Sequence, residues 1–163
     1  MLELHPGRAL LTVANFLRYV DEDRFTDVRF YRVVRMDNQP NNEFKIEVIQ
    51  GGLKEDEHSL GLPSIPHEDT TQSGILHLDG AISMARNEPG SASSEFFICI
   101  GDQPELDYGG RRNPDGHGFA AFGRAIKGMD VVRKIQSQPA QGQYLTKDVI
   151  IKSIKRVTST PGI

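Results

Sequence analysis

The chain has 163 residues, of which 37% are hydrophobic, so it can bury one sizeable core, and its length fits one domain better than two. Its 19 basic and 22 acidic side chains leave a net charge of −3, and no run of Lys and Arg is dense enough to follow a phosphate backbone, which argues against a nucleic-acid partner. There is no stretch of about 18 apolar residues and no basic-then-apolar N-terminus, so the sequence predicts neither a membrane span nor an attached secretory signal.

Short apolar runs separated by turn residues dominate the chain. Sixteen Gly and nine Pro divide these runs, a pattern typical of an all-β barrel or sandwich. In chain order we predict about seven strands, at residues 2–5, 29–34, 47–50, 80–85, 96–100, 120–125 and 148–157. Apolar residues recur at helical spacing in two other segments, which predicts helices at 12–21 and 130–136, with Thr12 as the N-cap of the first.

Few residues offer metal or nucleophile chemistry. The single cysteine, Cys99, lies in a run of Phe and Ile, which predicts a buried, unreactive thiol and no internal disulfide. Five histidines are scattered without the spacing of metal ligands. No phosphate-binding loop, dinucleotide fingerprint or nucleophile elbow is present. The sequence therefore predicts no metal site and no cofactor.

The most informative stretch runs from Gly80 to Gly123, where two apolar segments, 82–85 and 96–100, flank a loop of small and polar residues. Together with FYRVV at 30–34 and VIQGG at 48–52, it closely resembles the cyclophilins, the β-barrel peptidyl-prolyl cis/trans isomerases, and in particular their bacterial branch. The resemblance covers about residues 2–157. It implies a mainly β, cyclophilin-like antiparallel barrel with two α-helices, in a domain 1–157 followed by a C-terminal tail 158–163.

The activity that the resemblance implies is faster rotation about X-Pro peptide bonds, in support of protein folding. The barrier to this rotation is about 20 kcal/mol, because the amide loses its resonance as it twists. A catalyst must therefore bind the twisted form better than either planar isomer, with an apolar slot for the proline ring and a fixed donor near the imide nitrogen. An arginine suits the second task, since it stays charged and its donors form a rigid fork.

The resemblance implies three catalytic residues. Arg32, in FYRVV, matches the family's arginine donor, and Gln50 matches the glutamine that touches the substrate backbone and orients that arginine. Glu95 stands where the family usually has glutamine and is assigned an orienting role. Its carboxylate is available to pair with Arg32 or Arg86, which would either hold the guanidinium in place or compete with substrate. Without the resemblance, a strand arginine is more often an ordinary surface residue.

The implied substrate-binding residues form a groove for the proline and the residue before it. Phe97 is expected to be the floor of the proline slot, and the backbone of Ala85 and Arg86 to hold the preceding residue. Because successive strand side chains point to opposite faces, Phe96 should then pack inside the barrel. The full set is Val48, Ala85, Arg86, Phe97, Leu106 and Phe119.

Three departures from the family pattern carry expectations of their own. Glu47 falls where an aromatic pocket residue is typical, so it either weakens the slot or turns outward. Glu105 takes the place of the tryptophan associated with cyclosporin binding, which predicts weak binding of that drug. An insertion at 35–45, rich in Asn, Pro and charged residues, predicts a longer loop beside the groove.

The N-terminus departs further. Residues 2–5 resemble the family's second strand, so the first barrel strand is expected to be missing. A start codon assigned too late, a segment removed together with a signal, and a differently closed barrel all explain this; we favour the first two. The tail 158–163 or a neighbouring molecule would then cover the open seam. The compartment stays undetermined: the cytoplasm for the chain as written, the periplasm if a signal and first strand were removed.

The expected partners are proline-containing peptides and unfolded or flexible proteins. Two alternatives to an isomerase stay open. One is a non-catalytic chaperone or binding module for proline-containing segments, which the acidic residues Glu47 and Glu95 favour. The other is an inactive truncation product, which would show a low unfolding temperature.

Overall fold

Eight β-strands in one antiparallel sheet form the frame of the molecule, and a computed structural model describes residues 1–157 of it. The sheet has the strand order β1-β6-β4-β5-β3-β2-β8-β7. The strands are β1 (Leu2–Leu4), β2 (Arg29–Val34), β3 (Val48–Gly52), β4 (Ala81–Met84), β5 (Phe96–Cys99), β6 (Ala120–Ala125), β7 (Ala140–Gln141) and β8 (Tyr144–Ile150). The helices are α1 (Leu10–Asp21), the single turn α2 (Thr70–Ser73), α3 (Met129–Gln136) and a short 3-10 helix, Pro104–Leu106.

The predicted mainly β architecture is confirmed, with differences at the ends of elements. Strands 29–34 and 120–125 coincide with β2 and β6. The last predicted strand, 148–157, is wrong in its bounds, because β8 occupies Tyr144–Ile150 and residues 151–157 form no strand. The two predicted helices are present as α1 and α3, and α2 and β7 are additional elements that the sequence pattern did not indicate.

Helix α1 begins two residues earlier than predicted, and its cap comes from elsewhere in the chain. Ala9 is the N-cap residue and offers no side-chain cap, so the assignment of Thr12 to that role is wrong. The Glu68 carboxylate instead accepts hydrogen bonds from the N–H groups of Leu11, at 3.2 Å, and Thr12, at 2.7 Å. A carboxylate at a helix N-terminus satisfies free N–H groups and complements the helix dipole, so α1 is anchored to residues 56 or more positions away.

Two apolar clusters lie on opposite faces of the sheet. The larger one fills the interior beneath α1 and contains Phe16, Phe96 and Phe122, all at most 3% exposed. The smaller one contains Val34, Ile46, Val48, Ala81, Phe97, Cys99 and Leu106. Phe96 and Phe97 thus point to opposite faces, as the alternation of strand side chains predicted. The smaller cluster forms the base of a surface cavity.

The strand order begins with β1 and ends with β7. Within residues 1–157, β1 pairs with β6 alone and β7 with β8 alone, so the pairings do not run round a complete ring. The tail 158–163, to which we assigned the covering of a seam, lies outside the described residues. No helix of the described chain is long and apolar enough to cross a membrane.

Candidate active site

A cavity of about 720 Å³ opens over the smaller cluster. Strands β2, β3 and β5 supply its base, and the segments after β4 and after the 3-10 helix supply its sides. The structure brings all nine predicted site residues to its lining: Arg32, Val48, Gln50, Ala85, Arg86, Glu95, Phe97, Leu106 and Phe119.

Arg32 is held by two amide side chains. Its Nη1 donates to Gln50 Oε1 at 2.7 Å, and its Nε and Nη2 both donate to Gln143 Oε1, at 3.0 and 2.6 Å. Both acceptors are neutral, and within residues 1–157 no carboxylate forms an ion pair with this guanidinium. Since Arg has five N–H donors, two of them remain without a partner in the described chain.

A β-bulge at Tyr31 sets this arrangement. Phe30 pairs with Gly51 and Arg32 pairs with Gln50, so two steps along β2 oppose one step along β3 and Tyr31 is the extra residue. A bulge re-aims the side chains on either side of it. Here it places Arg32 directly opposite the glutamine that fixes its guanidinium.

Glu95 acts on this pair through Tyr31. Its Oε2 accepts a short hydrogen bond from the Tyr31 hydroxyl, and that hydroxyl accepts one from Gln50 Nε2 at 2.9 Å. Burial raises the pKa of Tyr31, and the Glu95 charge raises it further, so the phenol stays protonated and donates. The pairing of Glu95 with Arg32 or Arg86, which the sequence left open, is not formed: Oε1 accepts from the Leu53 N–H at 2.8 Å, and Oε2 accepts from the Tyr31 hydroxyl.

The apolar part of the cavity is formed by side chains from four segments. Phe97, Leu106 and Val48 are each at most 4% exposed. Phe119 meets Phe97 edge-on, with ring centroids 5.4 Å apart and planes at 88°. The floor and walls therefore form one packed aromatic and aliphatic surface next to the Arg32 guanidinium.

The Arg86 side chain stabilises the neighbouring loop, and its guanidinium points away from the open cavity. Its side chain is 1% exposed and pairs with Asp115 through two hydrogen bonds, of 2.9 and 3.0 Å. It also donates to the Gly118 carbonyl and lies 5.0 Å from the Phe119 ring centroid. These contacts engage its donors, and they fix the loop that carries Phe119.

Glu47 turns away from the cavity, which resolves the choice left by the sequence. Its carboxylate accepts a hydrogen bond from Gln136 Nε2 at 2.9 Å, on the side of α3. The neighbouring Ile46 lines the cavity instead and is 7% exposed. The apolar side chain of Ile46 therefore takes the place in the slot at which Glu47 would have weakened the binding of a proline ring.

A Ser-His-Asp arrangement lies beneath the groove. His77 Nδ1 is 2.7 Å from Asp107 Oδ1, and its Nε2 is 2.9 Å from Ser83 Oγ. Ser83 and His77 are at most 1% exposed, so no substrate reaches the hydroxyl, and nucleophilic catalysis is excluded there. The His77 ring stacks on Phe97, with centroids 5.9 Å apart, and so supports the floor of the slot.

The site residues that the sequence did not predict include Tyr31, Ile46, Arg112 and Gln143. Tyr31 is adjacent to Arg32 and Ile46 is adjacent to Glu47, but only the bulge and the outward orientation of Glu47 show that Tyr31 and Ile46 face the cavity. Gln143 lies 111 residues from Arg32 in the sequence, and no local pattern announces that contact.

The fold and the site together define a class of protein: an antiparallel β protein with a peptide-sized groove, in which an apolar slot adjoins a fixed guanidinium. Sequence comparison makes the class specific. Residues 1–156 match the family model described as cyclophilin type peptidyl-prolyl cis-trans isomerase/CLD. The chain belongs to this family and is a peptidyl-prolyl cis-trans isomerase of the cyclophilin type.

Similar proteins are found among bacterial isomerases. The chain is 33% identical to peptidyl-prolyl cis-trans isomerase B of Escherichia coli, over 94% of this chain and 91% of that protein. It is 32% identical to peptidyl-prolyl cis-trans isomerase A of Dickeya dadantii, over 94% of this chain and 77% of that protein.

Solved structures agree with the fold. A Cryptosporidium parvum cyclophilin type peptidyl-prolyl cis-trans isomerase, crystallised in the presence of the dipeptide Ala-Pro, matches with a TM-score of 0.74 and 21% identity. The match covers 97% of this chain and 92% of that one. At this identity the likeness carries the fold alone, so the roles of individual residues must be argued from the site.

Proposed function

We propose that Arg32 is the catalytic donor of this isomerase, that Gln50 and Glu95 orient it, and that the slot over Phe97 holds the proline ring. The observation that carries this proposal is the state of the Arg32 guanidinium. It is fixed by two neutral amides, has two N–H groups without a partner in the described chain, and lines the same cavity as the apolar slot.

This state favours the twisted imide over the planar one. As the X-Pro bond rotates, the imide nitrogen loses its conjugation with the carbonyl and regains a lone pair that can accept a hydrogen bond. A donor that is already oriented, and whose charge no carboxylate neutralises, stabilises that lone pair without reorganising. A charge-assisted hydrogen bond formed only in the transition state contributes about 1.5–3 kcal/mol, or roughly a tenfold to hundredfold rate effect.

The substrate part of the proposal covers six residues. Phe97 forms the floor of the slot, and the backbone of Ala85 and Arg86 holds the residue before the proline. The remaining members, Val48, Leu106 and Phe119, complete the apolar walls. The ligands are then proline-containing peptides and flexible or unfolded segments, recognised mainly by ring and backbone.

The test is the cis-to-trans rate of a short Ala-Pro peptide at low temperature, measured for the parent and for Arg32→Ala. We expect kcat/KM to fall by about tenfold to hundredfold in the variant. Arg29→Ala is the matched control, because Arg29 lies on the same strand and pairs with Asp148 at 3.7 Å instead of lining the cavity. Full activity of Arg32→Ala would overturn the proposed role.

The same variant separates catalysis from holding. A non-catalytic binding module would keep peptide affinity and suppression of aggregation in Arg32→Ala and would show no turnover in the parent. The two acidic residues that favoured this alternative do not face the proline slot as free carboxylates. Glu47 is bonded toward α3, and Glu95 is bonded to Tyr31 and the β3 end.

We also propose weak cyclosporin binding. Glu105, which stands in place of the family's tryptophan, pairs with Arg111 at 2.9 Å and accepts from its backbone N–H at 2.7 Å. A large apolar ligand that covered this ion pair would have to remove water from both charged groups, and this desolvation costs free energy. Binding of micromolar or tighter affinity in a calorimetric titration would contradict this expectation.

A further inference from the structure

A second cation, Arg112, lines the cavity that contains Arg32. It belongs to the segment after the 3-10 helix and is half-buried. Its Nη1 donates to Gln39 Oε1 at 2.8 Å and to the Phe44 carbonyl at 2.9 Å, so it is held against the 35–45 loop. Both acceptors are neutral, and within residues 1–157 no carboxylate forms an ion pair with this guanidinium.

The three carboxylates nearest in sequence are engaged elsewhere. Asp115 pairs with Arg86 and Glu105 pairs with Arg111, each at 2.9 Å, and Asp107 accepts a hydrogen bond from the His77 backbone N–H. Burial lowers the pKa of Arg112, and the positive charge of Arg32 lowers it further. Asp56 and Glu95 also line the cavity, but within residues 1–157 neither forms an ion pair with Arg112. A ligand carboxylate that reached Arg112 would supply the missing counter-charge.

The strand register shows at which end of the groove Arg112 lies. Phe97, the floor, pairs with Gln50 on one side and Ser83 on the other. Ala85 lies two residues after Ser83, just past the end of β4, and its N–H donates to the Glu95 carbonyl. Along β3, Val48 lies two residues from Gln50 in the opposite direction, opposite Cys99.

Arg112 belongs to the Val48 end. Gln39, which accepts from Arg112, also exchanges hydrogen bonds with both backbone groups of Ile46, at 2.8 and 3.1 Å. A peptide that places the residue before its proline at Ala85 and its ring on Phe97 therefore extends its following residues toward Ile46 and Arg112.

We propose that Arg112 makes this isomerase selective for substrates with an acidic residue at the first or second position after the proline. The inference rests on the proposed function, which defines the direction of the peptide. Arg112 is a specificity residue in this account and takes no part in the rotation itself. The side-chain carboxylate of Asp or Glu in the substrate would pair with a guanidinium that residues 1–157 leave without a counter-ion.

The experiment compares Ala-Pro peptides that carry Glu, Gln or Lys after the proline. At low ionic strength we expect kcat/KM for the Glu peptide to exceed that for the isosteric Gln peptide by about tenfold, mostly through KM, and the Lys peptide to be slowest. The Glu to Gln ratio should shrink as salt is added, because salt screens a partly exposed ion pair.

Two variants assign the preference to one residue. In Arg112→Gln the Glu to Gln ratio should fall to about one. Arg111→Gln is the control, because it also removes one positive charge, but from a guanidinium that is already paired with Glu105. This variant should retain the parent's ratio. Arg112→Lys keeps the charge and should keep most of the Glu to Gln ratio. If the ratio fell only because the loop moved, it would fall in this variant as well. Equal turnover of the Glu and Gln peptides by the parent, or an unchanged ratio in Arg112→Gln, would overturn the inference. No turnover of any peptide would overturn the proposed function, and this inference with it.

Discussion

Residues beside the proline slot decide the geometry of the Arg32 guanidinium. The Glu95 carboxylate accepts hydrogen bonds from the Ser94 hydroxyl and the Leu53 N–H, each at 2.8 Å. It is connected to Arg32 through hydrogen bonds of Tyr31 and Gln50. Every link in this series is a directed hydrogen bond between partly or fully buried groups. Such a series restricts the rotamers of the guanidinium before a substrate arrives, which lowers the reorganisation needed in the transition state.

The ion pair between Arg86 and Asp115 gives a prediction at this scale. Hydrogen bonds from the Arg86 guanidinium, and then from the His117 N–H, lower the pKa of Asp115 to about 2 from an ordinary value of 3.8. A depressed pKa means that the pair's contribution to stability is fully present above about pH 4 and is lost as the pH falls toward 2. We expect Asp115→Asn to lower the free energy of unfolding at pH 6 by about 1 kcal/mol, because Asp115 is partly exposed and water screens the pair.

Urea unfolding of both proteins at pH 6 and at pH 2 measures this effect, and the difference between them should shrink at the lower pH. Asp37→Asn is the matched control, since Asp37 pairs with Arg35 at 3.2 Å but is 78% exposed. It should leave the free energy of unfolding nearly unchanged. A difference between parent and Asp115→Asn that is as large at pH 2 as at pH 6 would contradict the assignment.

At the scale of elements, β2 and β3 form the site because their pairing is irregular. The bulge at Tyr31 aligns Arg32 with Gln50, and Gly52, the last residue of β3, lets the Glu95 carboxyl approach the strand backbone. The predicted strand 47–50 stops before Gly51 and Gly52, whereas both residues lie within β3. A regular ladder would have shifted Arg32 by one place and turned it to the other face.

Strand and helix positions followed from local patterns, and the remaining features depended on distant partners. Periodicity located α1 and β2, because apolar spacing is a property of the segment itself. The start of α1 did not follow, since its cap is Glu68, more than fifty residues away. In the site, the resemblance supplied Arg32, Gln50 and Glu95, but the hydrogen-bond partner of Glu95 was missed, because it is Tyr31, which the bulge turns toward it.

Gly52 supplies the prediction for these elements. Its φ is +149°, and an added Cβ would collide with the Glu95 carboxyl group, with Oε2 at 2.5 Å. Gly52→Ala should therefore lower the free energy of unfolding by about 2 kcal/mol. It should also reduce kcat/KM on an Ala-Pro peptide, because a displaced Glu95 releases Tyr31 and Gln50.

Chemical denaturation and the peptide assay test both parts of this prediction. Gly7→Ala is the control, because an added Cβ there meets nothing within 4 Å and the backbone is not in the left-handed region. That variant should match the parent in both measurements. Wild-type stability and turnover in Gly52→Ala would show that the approach of Glu95 to β3 does not matter.

For the whole molecule, the groove and the interior cannot fold separately, because β3 and β5 contribute side chains to both apolar clusters. Ile49 and Phe96 point into the larger cluster, while their neighbours Val48 and Phe97 point into the smaller one. A change that loosens either face therefore loosens the strands that carry the other. We propose on this basis that residues 1–157 form one cooperative unit and that 158–163 are a tail appended to it.

Shortening the chain tests where this unit ends. Residues 151–157 are tied to the body, because the Ile151 N–H donates to the Val28 carbonyl at 3.1 Å, Ile154 packs against the larger cluster, and Arg156 pairs with Asp21. A chain ended after Val157 should keep the parent's Tm and peptide turnover, whereas one ended after Ile150 should lose at least about 5 °C. If ending at Val157 lowers Tm as well, the tail covers an open edge of the sheet. The measurement is scanning calorimetry of the three chains, each at several concentrations, together with their masses in solution. If a second molecule closed the seam instead, Tm would depend on concentration.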